Sequence, residues 1–212
     1  MYSLIFYPTI LKTYYIGTTP LEIFVPDPVS LVAQYKKENK GAGFLYWAKV
    51  WPAAIGLCTF LHNNLSYIED KKVLELAAGP GLPGIFCATY AKQVCISDIE
   101  AEAVAMIQQT ITHHQLKNTE CSILDWNNLI QVPIPEIVLL SDINYNPAQF
   151  EELLLAVNYL LSNGCCIILS TPQRLMAKDF IQQILVFCKE QTEIEVEMEN
   201  GKTNISVFVL KK

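Results

Sequence analysis

The chain is poor in charge. Asp, Glu, Lys and Arg make up 17% of its 212 residues, while 51% are hydrophobic. That balance excludes a disordered polymer and suits one α/β domain with a large core. Basic clusters are also missing. The net charge is −6 and no Lys/Arg-rich patch stands out, so a nucleic-acid partner is not expected. An acidic protein more readily draws in a cationic substrate. No run reaches the ~18 apolar residues of a membrane span. Met1-Tyr2-Ser3-Leu4-Ile5-Phe6 has neither a basic start nor a long apolar centre, so no signal peptide is expected. The seven cysteines are odd in number, form no C-x-x-C and lie mostly in apolar runs. They read as buried free thiols in a reducing cytoplasm, not as disulfides or a zinc site. The three histidines lack metal-ligand spacing, and no metal is expected. His113 and His114 read as the end of a helix, where a cation suits the dipole. Repeats, linkers and low-complexity tracts are absent too.

What is present is a glycine turn. Val73-Leu74-Glu75-Leu76-Ala77-Ala78-Gly79-Pro80-Gly81-Leu82-Pro83-Gly84 is an apolar run with one carboxylate that collapses into glycines. This is a strand feeding a tight turn and a helix. Gly79, Gly81 and Gly84 fit G-x-G-x-x-G, which points to a nucleotide-like cofactor.

Around the turn, strands and helices alternate. Tyr14–Ile16 and Leu21–Val25 read as strands about the Gly17–Pro20 turn, and 29–38 as a helix ending near Gly41-Ala42-Gly43. Ala53, Leu57, Phe60 and Leu61 recur at helical spacing behind Pro52. Strands are expected at Lys72–Leu76, Gln93–Ser97, Cys121–Leu124, Glu136–Ser141 and Cys165–Leu169. Helices are expected at Leu82–Tyr90, Glu100–His114, Gln149–Leu161 and Ala177–Glu190. Ile194, Val196 and Met198 alternate with glutamates, Asn200-Gly201 makes a two-residue turn, and Ile205–Leu210 is again strand-like. The reading is a Rossmann-like α/β fold: seven mostly parallel strands, helices on both faces and an antiparallel C-terminal hairpin. Residues 1–43 form a small β/α extension and 44–212 the main domain.

In open parallel sheets, ligands bind beyond the carboxyl ends of the strands. Those ends offer Glu75 with the glycines, then Asp98, then Asp125-Trp126, then Asp142, Asn144 and Tyr145. An acid at the Asp98 place serves dinucleotides as well, so Asp98 alone does not discriminate. Three features do. The glycine turn comes late in the chain. Glu75 would point a carboxylate at the ligand, repelling pyrophosphate and attracting a cationic amino-acid end. The C-terminal hairpin does not suit a simple dinucleotide fold.

On these residues the chain resembles the class I, seven-strand methyltransferases that use S-adenosylmethionine. Glu75-x-Ala77-x-Gly79-x-Gly81 matches their first motif, with Ala77 where a glycine is usual. Leu45-Tyr46-Trp47-Ala48-Lys49-Val50-Trp51-Pro52, Leu124-Asp125-Trp126 and Ser141-Asp142-Ile143-Asn144-Tyr145 resemble segments of the methyltransferase-like protein-lysine methyltransferases. The version in the electron-transfer-flavoprotein lysine methyltransferase is similar in motif. The resemblance implies S-adenosylmethionine as cofactor, S-adenosylhomocysteine as product and a protein lysine as acceptor. It implies cofactor contacts from Trp51, Glu75, Ala77, Gly79, Gly81, Asp98, Ile99, Asp125, Trp126 and Ser141. Asp142, Asn144 and Tyr145 would border the transferred methyl group.

Plainer readings stand beside these. Trp47 and Trp51 also suit a core, Asp98 also suits a cap on the following helix, and Tyr145 also suits a buried structural hydroxyl. Thr171-Pro172-Gln173-Arg174, after the fifth strand, is either a substrate edge or an ordinary loop. The alternatives for the whole chain are a small-molecule N-methyltransferase of the nicotinamide-methylating kind, a non-catalytic binding module of this fold, and, last, an NAD-dependent dehydrogenase.

Overall fold

The computed structural model describes residues 7–37, 45–198 and 201–212. Its main sheet has seven strands in the order β5-β4-β3-β6-β7-β9-β8. The strands are β3 (Lys72–Leu76), β4 (Gln93–Asp98), β5 (Thr119–Ile123), β6 (Ile137–Ser141), β7 (Cys166–Pro172), β8 (Cys188–Met198) and β9 (Gly201–Leu210). All pairs from β5 through β7 are parallel. β9 joins β7 antiparallel and β8 pairs with β9 at the edge. The chain runs outward from β3 to β5, then returns to the other side of β3 to place β6. The strand order therefore reverses between β3 and β6, and this opens a crevice at their carboxyl ends.

The strands are apolar on both faces because both are covered. Val73, Ile96, Leu139, Ile168 and Val209 enter one core, with α2 (Pro52–Asn63), α3 (Leu82–Cys87) and α4 (Ala101–His113). Their neighbours Leu74, Leu140, Leu169 and Leu210 enter the other, with α5 (Phe150–Ser162) and α6 (Lys178–Ile184). The period-two alternation of a strand thus divides one apolar run between two cores. Pro52 occupies the first turn of α2, as its missing N–H favours.

A hairpin of β1 (Thr9–Ile16) and β2 (Thr19–Pro26), followed by α1 (Pro28–Lys37), precedes the sheet. β2 docks on α4. The Phe24 amide donates to Thr110 Oγ1 at 3.0 Å, and His114 Nε2 lies 2.6 Å from the Glu22 carbonyl. His113 does end α4, with His114 as its cap.

Several boundaries differ from the sequence reading. β1 extends back to Thr9 through its pairing with Pro26 of β2; Ile10 and Leu11 are exposed, so this stretch shows no apolar alternation. α3 stops at Cys87, and Ala88–Tyr90 turn back towards β4. The helix expected over Ala177–Glu190 is only α6 with a 3₁₀ turn at each end, Leu175–Ala177 and Leu185–Phe187. β8 takes over at Cys188, which pairs with Leu210. The long partner strand β9 imposes extended backbone on a segment whose composition also suits a helix. The end of the 29–38 helix, Gly41–Gly43, Asn200 and residues 1–6 lie outside the described residues. No helix among the described residues is long and apolar enough to cross a membrane.

Candidate active site

At the crevice between β3 and β6 the structure holds a cleft of about 640 Å³, a size typical of small-molecule sites. Its floor is the turn after β3. Ala77 has φ +51° and Gly79 φ +54°, and a left-handed residue costs a side chain roughly 1–2 kcal/mol. Gly79 has a second constraint, since a Cβ there would lie 3.0 Å from the Trp47 carbonyl oxygen. The turn is tied to β4. The Ala78 amide donates to the Ser97 carbonyl at 2.9 Å, Ser97 Oγ to the Glu75 carbonyl at 2.7 Å, and the Gly79 amide to Asp98 Oδ2 at 2.8 Å.

Glu75 does not face the cleft. Its side chain is fully buried beneath the turn, where Oε2 accepts the Gly84 amide at 2.7 Å and Oε1 has no hydrogen-bond partner. Burial raises its pKa to about 8, against the lowering effect of the Gly84 amide. Near neutral pH it is therefore mostly protonated. This corrects the electrostatic reading of the sequence: a neutral carboxyl turned away from the cleft neither repels a pyrophosphate nor attracts an ammonium. Gly81 also stays out of the cleft lining, because it caps α3 with φ +79°. Gly84 serves packing, since a Cβ there would lie 2.6 Å from both Glu75 Oε2 and Ile96 Cγ1.

Asp98 is the acid that does line the floor. Its two oxygens accept the Gly79 amide and the Glu100 amide, the second at 3.0 Å. Burial raises its pKa, opposed by the amides of Glu100, Gly79 and Ile99. Each oxygen keeps a lone pair for a hydroxyl in the cleft. Ile99, 60% exposed, lies beside it at the rim. Asp125 and Trp126 line the same side from the β5 end, where Asp125 Oδ1 caps the next turn through the Asn127 amide at 2.9 Å.

The opposite wall comes from β6 and β7. Ser141, Asp142 and Tyr145 line it. Asp142 has φ +56°, and its amide donates to the Ser170 carbonyl at 2.9 Å. Arg174 holds its carboxylate with both guanidinium nitrogens, Nη1 on Oδ1 and Nη2 on Oδ2, the latter at 3.0 Å. Burial raises the Asp142 pKa and Arg174 lowers it. The Tyr145 ring stacks on Tyr46, with centroids 4.5 Å apart. Burial raises the pKa of its phenol, and the charge of Asp98 adds to this. Tyr46 in turn accepts the Trp51 indole N–H on its carbonyl at 2.9 Å. Lys49 Nζ lies 4.9 Å from the Trp51 ring centroid. Trp47 and Trp51 both line the cleft, so neither is a plain core aromatic.

Asn144 is the second correction. It is fully buried and absent from the cleft lining, and its Oδ1 accepts from Thr171 Oγ1 at 2.7 Å. It ties the β6 end to the β7 end. The sequence reading missed Tyr46 and left Arg174 open. An arginine just past an apolar strand, on the ligand side of the sheet, was the available signal for the second. The ring pairing of Tyr46 had none.

Three comparisons place this geometry. The sequence profile of the lysine methyltransferase family matches residues 33–187. The histone-arginine methyltransferase METTL23 of Xenopus laevis is 33% identical over 123 residues, 55% of this chain and 52% of that protein. The protein N-lysine methyltransferase METTL21A of Danio rerio is 34% identical over 129 residues, 58% of this chain and 59% of that protein. The chain thus spans little more than half the length of these two relatives. Among solved structures, the Thermus thermophilus 16S rRNA N2 G1207 methyltransferase RsmC, in complex with AdoMet and guanosine, superposes with a TM-score of 0.66. It is 14% identical and the match covers 96% of this chain and 51% of that one. The N-methyltransferase NodS of Bradyrhizobium japonicum gives a TM-score of 0.57 at 12% identity, covering 74% and 94%. These two likenesses show the class I methyltransferase fold. With a family match over most of its length and that fold around the cleft, the chain belongs to the lysine methyltransferase family.

Proposed function

We propose that the protein transfers a methyl group from S-adenosylmethionine to a nitrogen of a protein, in the first instance a lysine. One observation carries the reading: a single cleft at the strand switch joins the glycine turn and Asp98 to a wall that bears Asp142. S-adenosylmethionine, when bound, supplies a methyl group already activated on a sulfonium, so no covalent residue is required. Asp98 suits the ribose hydroxyls, Trp126 presents a flat face for the adenine, and the backbone at Ala77 and Gly79 suits the methionine end. Trp51, Ile99, Asp125 and Ser141 complete that contact set. Glu75 and Gly81 contribute by holding the turn in shape.

Asp142 orients the acceptor nitrogen by accepting an N–H, and Tyr145 with Tyr46 keeps water from it. In-line placement at about 3–3.5 Å supplies most of the rate. A lysine amine must arrive neutral against a solution pKa near 10.4, and a half-buried aromatic wall favours that form.

Labelled methyl transfer to a cell extract, resolved by mass, tests the reading. Label in macromolecules, recovered after hydrolysis as methyllysine, supports it. Label that passes a filter retaining macromolecules supports a small-molecule acceptor, and cofactor binding without transfer supports a binding module. An arginine acceptor is the second reading. It is favoured by the METTL23 relatives; it would yield methylarginine.

A further inference from the structure

Methyl transfer alone does not explain the ion pair on the acceptor wall. Asp142 is 7% exposed, and its partner Arg174 has 27% of its side chain exposed. The carboxylate is thus neutralised inside the cleft and not by solvent. An unpaired carboxylate beside an amine would stabilise the ammonium, which cannot accept a methyl group. Other acids act in the same direction, because Asp98, Glu100 and Asp125 all line this cleft. Tyr46 and Tyr145 contribute phenols. Among the described residues lining the cleft, the cations are Lys49 and Arg174. Lys49 sits over Trp51 on the neighbouring wall, and Arg174 is the one that grips Asp142.

We propose that Arg174 is a positioning residue that sets the protonation state of the acceptor. It offsets the charge of Asp142, so the wall stabilises the ammonium less than an unpaired carboxylate would and the neutral amine is reached at lower pH. The inference rests on the reading of Asp142 as the group that holds a lysine. Each Asp142 oxygen retains a lone pair in the bidentate pair, so it still accepts an N–H from the amine. The amine nitrogen gives its lone pair to the methyl carbon as the carbon–sulfur bond breaks. That bond's electron pair stays on sulfur as a neutral thioether, and the proton lost from nitrogen passes to solvent. A guanidinium suits this role because it keeps its charge at every pH where the amine is neutral.

The test is the pH dependence of label transfer to the principal acceptor band of a cell extract, using the full chain, Arg174→Gln and Arg174→Lys. The glutamine variant removes the cation. Its acid limb should move up by about one pH unit, roughly a tenfold loss at a fixed pH on the limb. The lysine variant keeps a charge but loses the fork. Its maximal rate should fall while the midpoint of its limb stays in place. Calorimetric binding of S-adenosylhomocysteine to each variant reports whether it is folded. A glutamine variant that binds product yet shows the native midpoint overturns the inference, and so does a lysine variant with a shifted midpoint. If only one variant binds product, that variant decides; if neither does, Arg174 holds the cleft together and the inference is overturned. The native chain failing to label any band is a different result, and it overturns the proposed function itself.

Discussion

At the ends of β3 and β4, the carboxyl groups of Glu75 and Asp98 are taken up by the backbone amides of Gly84, Gly79 and Glu100. At the end of β6, Asp142 is taken up by the side chain of Arg174, 32 residues along the chain. Tyr145 beside it stacks on Tyr46, which comes from ahead of α2. The glycine-turn half is therefore built by backbone within a short stretch, and the Asp142 half by side chains from three distant segments. A backbone cradle is rigid and nearly independent of its neighbours. A side-chain wall is adjustable, which suits the part of a site that must meet a variable partner.

The widest test of the difference is Asp142→Ala. On the proposed roles, turnover should fall about 10²-fold, the order that misplacing a reacting group by an ångström costs. Binding of S-adenosylhomocysteine should change less than threefold. Full turnover in the variant would strip the Asp142 half of the role assigned to it.

The second test concerns Glu75 and runs through pH. Its folded pKa, about 8, stands above its ordinary value of 4.5. A carboxyl raised in this way is neutral in the folded chain and ionised in the unfolded one across that window. Its contribution is full below pH 4.5 and is lost as pH rises towards about 8. The slope approaches ~1.4 kcal/mol per pH unit, and the total over this window is on the order of 5 kcal/mol at most. Glu75→Gln should flatten that part of the stability curve in urea melts at pH 5, 6.5 and 8. A curve of unchanged slope would mean that Glu75 is ionised in its buried place. Asp142 shifts in the same direction as Glu75, because burial outweighs the opposing effect of Arg174.

A third test reads packing. Gly84→Ala puts a methyl group 2.6 Å from Ile96 Cγ1 and Glu75 Oε2. Helix propensity alone would favour alanine by up to about 1 kcal/mol. Overpacking against a buried β4 residue should outweigh it and leave the chain about 2 kcal/mol less stable. A variant as stable as the native chain would show that the glycine-turn half is less rigid than its hydrogen bonds imply.

The same contrast explains what was legible in the sequence. The alternation of apolar strands and helices gave the sheet and both layers, because burial on both faces leaves near-continuous apolar runs. The glycine turn and the place of Asp98 beside it were legible because their contacts are local. Glu75 was found but misread: the sequence shows a carboxylate next to a glycine turn, and only packing shows that it points beneath the turn. Asn144 failed in the same way, as its face at the β6 end is set by Thr171 on the adjacent strand. Arg174 needed the parallel pairing of β6 with β7 before its reach to Asp142 existed. The helix boundary at Cys188 depended on β9, which lies later in the chain.

The smallest effect is also the most direct probe of strain in the two halves. Ala77 and Asp142 are both left-handed non-glycine residues, with φ of +51° and +56°, and each follows the end of a parallel strand. At Ala77 nothing but a methyl group is at stake. Ala77→Gly relieves roughly 1 kcal/mol of left-handed strain and loses about as much to the greater freedom of glycine in the unfolded chain. Stability should stay within about 0.5 kcal/mol. Cofactor-product affinity should hold to within twofold, because the backbone course is already fixed by Ser97 and Asp98. At Asp142 the same relief cannot be taken, since the strained residue also carries the carboxylate that Arg174 grips. Strain that glycine could remove at no loss is incidental, whereas strain retained for a side chain belongs to the site. If Ala77→Gly weakened product binding tenfold, the alanine methyl would itself be part of the cradle, and the glycine-turn half would no longer be a site built by backbone alone.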